Sequence, residues 1–143
     1  MRSRDALDAP EALVLTMVLV AAADGSMSDR EIGVMAGLVQ TLPIFHDFTT
    51  EQLRIATDAA VKLLNEEDGL NHAARLIRNA LEPRLRETAY ALACDVFAAN
   101  EVTKPRSLDM LEFVRTELHL DPLIAAAIER GARARHQRAG SGK

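Results

Sequence analysis

Apolar positions along this chain fall into seven runs at helical spacing, separated by short polar turns. The first run starts near Asp8, has Pro10 in its first turn, and reads ALVLTMVLVAAA before stopping at Asp24-Gly25. It is apolar nearly all round, which predicts a central helix enclosed by others. Ser28 followed by Glu31 predicts a capping box for a second helix. There Ile32, Met35, Leu38, Val39 and Leu42 form one apolar face, and Pro43 ends it. After a connection anchored by Ile44, Phe45 and Phe48, Thr49 and Gln52 form a second capping box. The third helix buries Leu53, Ala56, Ala60, Leu63 and Leu64. Gly69 suits a left-handed stop after Asn65-Glu66-Glu67-Asp68. The fourth helix carries Leu70, Ala73, Ala74, Ile77 and Leu81. Pro83 opens a fifth that runs through ETAYALACDVFAA and is again apolar on most sides. The sixth carries Leu108, Leu111, Val114 and Leu118, and Asp121-Pro122 opens the seventh. No segment reads as a strand, since Asp24-Gly25 and Asp68-Gly69 both sit between helical patterns.

The pattern also repeats. At an offset of 76 residues, Glu11 falls on Glu87, Val20 on Val96, Ala22-Ala23 on Ala98-Ala99 and Asp24 on Asn100. Ile32 then falls on Leu108, Met35 on Leu111, Leu38 on Val114 and Leu42 on Leu118, without a gap. This predicts a duplication in which the first and fifth helices pack together near a pseudo-twofold axis.

Composition narrows the class. The 143 residues fit one domain, with a core over about 8–136 and flexible ends at 1–7 and 137–143. Aromatics are only 3%, with no Trp, so the core must be built from Leu, Val, Ile, Met and Ala, which suits helices. The net charge of −4 argues against a nucleic-acid module. The single cysteine, Cys94, rules out an internal disulfide and a thiolate zinc cage, and fits a reducing, cytoplasmic setting. The run Ala12 to Ala23 is too short to span a bilayer. Asp5, Asp8, Pro10 and Glu11 before it argue against a secretory signal.

The stretches TMVLVAAADGSMSDREI, TLPIF, NEEDGL, LEPRLRETAYALACDVFAA and DPLIAAAIERGARARH resemble the TerB-like tellurite-resistance family over about residues 10 to 136. RLRETAYALAC is the most specific of them. The resemblance implies an all-α fold of two pseudo-symmetric halves and no catalytic assignment. It implies a link to stress responses involving tellurite, other chemical insults or phage, with membrane-associated and chaperone-like partners and metal binding by acidic turns. The second half departs from the family pattern: Asn100-Glu101 replaces Asp-Gly, and Lys104-Pro105-Arg106-Ser107 replaces the acidic helix start.

Two acidic turns are the candidate metal ligands. Asp24, Asp29 and Glu31, with Ser26 and Ser28, offer oxygens that a hard divalent cation such as calcium or magnesium prefers. The spacing is not that of an EF-hand. The same residues equally serve to cap a helix and complement its dipole. Glu66, Glu67 and Asp68 face the negative end of a helix dipole, which a cation or basic partner would relieve, although solvation also suffices. A shared site requires Asp24, Asp29 and Glu31 to approach Glu66 to Asp68 or Glu101. Asp95, in an apolar stretch, reads first as a partly exposed position at the helix edge, and needs a partner such as Arg86 or Arg84 if it is buried. Cys94 reads as a buried, inert thiol, and His46, His72, His119 and His136 show no metal spacing.

The leading expectation is therefore a non-enzymatic stress-response module that binds a partner protein, and a divalent cation through its acidic turns. One alternative is a membrane-surface or co-chaperone-associated adaptor using the basic Arg130, Arg133, Arg135, His136 and Arg138, at the inner membrane for example. Another is an enzyme with a pocket around Asp95, Tyr90 and Cys94. A dimer is compatible with all three.

Overall fold

A computed structural model describes residues 6–100 and 103–140. Most of the ends read as flexible, and Glu101, fall outside those residues. The described chain is all-helical: α1 (Ala9–Ala21), α2 (Asp29–Thr41), a 3-10 turn (Pro43–Phe45), α3 (Thr50–Leu64), α4 (Gly69–Ala80), α5 (Pro83–Ala98), α6 (Pro105–Glu117) and α7 (Pro122–Arg135).

Local chemistry sets the helix starts. Asp8 with Glu11, Ser28 with Glu31 and Thr49 with Gln52 each form a complete capping box, so orphan amides at three helix starts are satisfied by side chains. Proline occupies the first turn of α1, α5, α6 and α7, where its missing N–H costs nothing.

Every residue of α1 from Ala12 to Ala21 is buried, as its all-round apolar sequence requires. Its one polar member there, Thr16, donates to the Ala12 carbonyl at 2.8 Å. α1 packs more extensively on α5 than any other two helices pack on each other. Around this central pair the contacts are exchange-symmetric: α1 touches α2, α3 and α6, and α5 touches α6, α7 and α2. α4 packs on α1, α3 and α6 and stands outside this symmetry. The 76-residue offset carries over into burial at the start of the stripe, while further along Leu38 and Leu42 are half-buried and their equivalents Val114 and Leu118 are buried. Met35 and its equivalent Leu111 are both buried, while Ile32 and Leu108 are both exposed at the outer end of their stripes.

The turn before α4 differs from the expected one. Asp68, not Gly69, adopts the left-handed conformation, with φ of 57°. Gly69 is the first residue of α4, and a Cβ there would lie 2.2 Å from the Leu63 carbonyl oxygen. Glycine is needed at this point for close approach of two backbones and not for its φ.

Candidate binding groove and the facing turns

The turns after α1 and α5 meet across the central pair. Lys104 Nζ lies 3.0 Å from Asp24 Oδ2, and Asn100 Nδ2 donates to Glu31 Oε2 at 2.9 Å. Glu31 is completely buried, and its other oxygen accepts from the Ser28 amide at 2.8 Å in the capping box. The hydrogen bond from Lys104 holds the Asp24 carboxyl below its ordinary range against the opposing effect of burial. The same contact raises Lys104. Asp24 Oδ1 and Ser107 Oγ are enclosed nearby without a hydrogen-bond partner among the described residues. Lys104 and Asn100 of the second half are therefore the partners of the first-half acids Asp24 and Glu31.

The other expected ligands lie elsewhere. Asp29, Glu66, Glu67 and Asp68 are exposed, and Asp68 accepts from Asn71 Nδ2 at 2.7 Å. Among the described residues, no three His, Cys, Asp or Glu side chains gather as a metal-holding group.

Asp95 is buried, and its partners correct the expectation from sequence. Arg135 Nη2 at 2.8 Å and His136 Nε2 at 3.2 Å, at the end of α7, meet its Oδ1. Arg86 instead donates to the carbonyls of Leu81 and Arg78, closing the end of α4, and Arg84 lies beside Glu82. Two members of the basic C-terminal segment are thus drawn onto α5.

The main concavity is a groove of about 450 Å³ with α5 as its floor and α6 and α7 as its walls. Tyr90, Cys94 and Phe97 lie along the floor. Leu108, Leu111, Glu112 and Arg115 come from α6, and Ala125, Ala126, Glu129 and Arg133 from α7. Its volume is in the range of small-molecule sites, and its lining has the usual form of apolar walls with a few convergent polar groups. Tyr90 Oη donates to Glu129 Oε2 at 2.5 Å, and Arg115 Nε stands 3.9 Å from the same oxygen. Burial and the bond to Glu129 push the Tyr90 phenol far above its usual range. Burial pushes the Cys94 thiol up to about 12, with the interaction with the Tyr90 hydroxyl opposing the effect and the charge of Glu129 adding to it. Asp95, the third residue of the enzyme reading, does not line this groove but faces Arg135 and His136.

A smaller pocket of about 320 Å³ lies between α1 and α3, near Phe48 and Ile55. Its polar members Asp8, Glu11 and Gln52 are engaged in helix caps. The larger groove is the site with chemistry to offer.

Sequence reasoning singled out Tyr90 and Cys94 but not Glu129, Arg115 or Phe97. One signal was available. The 76-residue alignment ends at Leu42 and Leu118, after which the first half has residues 43–49 before α3 and the second only 119–121 before α7. Comparison with family models, curated proteins and solved structures finds no match.

Proposed function

We propose that this chain is a non-enzymatic recognition module of the TerB-like, stress-response kind, and that the groove between α5, α6 and α7 is its binding site. One observation carries this reading. The groove combines apolar walls with a hydrogen-bonded phenol–carboxylate pair, while burial holds both of its nucleophile-type groups, Tyr90 and Cys94, in their protonated forms. Such a site can bind and orient a ligand but has no activated nucleophile with which to attack it. The acidic turns are a weaker basis for recognition. Asp24 is paired with Lys104, and Glu31 is committed to Ser28 and Asn100. A protein partner, as the TerB-like resemblance implies, would act alongside a ligand held in the groove.

The test is a panel of chemically varied small fragments titrated into isotope-labelled protein, followed by amide and methyl NMR. Shifts clustered on Cys94, Leu111, Ala125 and Ala126 are expected. Shifts confined to the pocket between α1 and α3, or no saturable shift from any fragment, would overturn the assignment.

A further inference from the structure

The two halves of the molecule treat the same place differently. In the first half, the connection from α2 to α3 folds into the 3-10 turn Pro43–Phe45, which packs against α1 and α2. Phe45 is almost wholly buried there, with the Phe48 ring 5.6 Å away from its own. In the second half, α5 and α6 stand where α1 and α2 stand. The connection from α6 to α7 is only 118–121, and it turns tightly through His119, whose φ is 56°. Its one ring, the imidazole of His119, is polar and exposed, and the groove lies against α5 and α6. The first half therefore supplies from its own chain an aromatic plug that the second half lacks.

The lining points to the same kind of occupant. Phe97 on the floor can pack edge-to-face against an incoming ring, Tyr90 is almost wholly buried beneath it, and Leu111, Ala125 and Ala126 are apolar wall. Glu129 accepts from Tyr90 through Oε2, and its Oε1 has no hydrogen-bond partner among the described residues. The Glu129 side chain is 34% exposed, and a carboxylate only accepts, so a ligand that displaces water from this oxygen must bring a donor of its own. The charged lining residues are Glu112, Glu129, Arg115 and Arg133, two of each sign, which favours a neutral molecule over an ion.

We propose that the groove binds a small, neutral aromatic molecule carrying one O–H or N–H donor, of the phenol or indole class, with its ring where the first half places Phe45 and its donor on Glu129. This rests on the groove being the binding site and adds the class of ligand.

The experiment compares p-cresol, toluene, cyclohexylmethanol and a peptide of residues 42–48 as ligands of the full chain, read by NMR titration. p-Cresol is expected to bind in the groove at least fivefold more tightly than toluene or cyclohexylmethanol. Glu129→Gln should weaken p-cresol about tenfold and leave toluene unchanged. Ala126→Phe, at an exposed wall position that leaves the core intact, should abolish p-cresol binding by filling the groove with a tethered ring. Equal affinities for the three small molecules, or p-cresol binding that survives Ala126→Phe, would overturn the proposal. So would a peptide that binds more than tenfold tighter than p-cresol, which would make the occupant a partner's side chain. If other fragments map to the groove while p-cresol does not, the ligand class fails and the groove stands. If none map there, the groove itself fails.

Discussion

At the scale of single residues, the decisive question about Cys94 is its ionisation, because the thiolate and not the thiol is the nucleophile. Burial against Tyr90, with the Glu129 charge nearby, raises its pKa to about 12. At pH 8 the thiolate fraction is then smaller by about three orders of magnitude than in an unperturbed thiol of pKa about 8.5. Alkylation of the folded protein by iodoacetamide at pH 8 should run at least ~100-fold slower than that of free cysteine, and should reach the free rate in denaturant. A fast reaction in the folded state would mean an activated thiol and would revive the enzyme reading. The burial of this thiol was legible in the sequence as a lone cysteine in an apolar run. The partners of Asp95 were not. Arg135 and His136 lie some forty positions away in the chain, so only the packing of α7 on α5 brings them together.

At the scale of elements, the helices themselves were legible because every start but that of α4 carries its own capping residue or proline. Ser28 and Glu31, and Thr49 and Gln52, cap where their spacing predicts. The turns were less legible, because a glycine serves either of two needs. Gly69 reads as a left-handed stop, whereas the chain places Asp68 there and uses Gly69 to bring α4 onto the Leu63 carbonyl. The two roles predict opposite mutational outcomes. Gly69→Ala forces a Cβ to within 2.2 Å of a backbone oxygen, which no side-chain rotation relieves. It should cost about 2–3 kcal/mol, read as a lowered urea midpoint with an unchanged slope. Asp68→Gly places the permissive residue at the positive φ and should be tolerated. If Gly69→Ala is neutral and Asp68→Gly is not, this account of the turn is wrong.

At the scale of the molecule, the 76-residue repeat made the central α1–α5 pair legible, but not how the halves are joined at their turns. The repeat equates Ser28 with Lys104 and Asp24 with Asn100, yet the contacts run crosswise, Asp24 to Lys104 and Glu31 to Asn100. The Asp24–Lys104 pair should therefore act as a pH-dependent clasp between halves. Asp24 is held below its ordinary value, so its contribution is present above about pH 3.9 and is lost as pH falls through the lowered value. Lys104 is held above its ordinary value, so its contribution is complete below about pH 10.4 and is lost as pH rises through the raised one. In Lys104→Met, the strongest influence lowering Asp24 is gone and only the backbone hydrogen bonds at Ser26 and Asp24 still oppose burial, so the acid limb flattens. Urea denaturation from pH 3 to pH 11 should then find the variant less stable than the native chain from about pH 5 to pH 9, with the gap closing toward both extremes. On acidification from about pH 5 to pH 3, the Asp24 contribution should decline in the native chain and change much less in the variant. Parallel stability curves at every pH would show that the two ions do not couple, leaving the halves joined by helix packing, α1 on α5 above all, and by the hydrogen bond from Asn100 to Glu31.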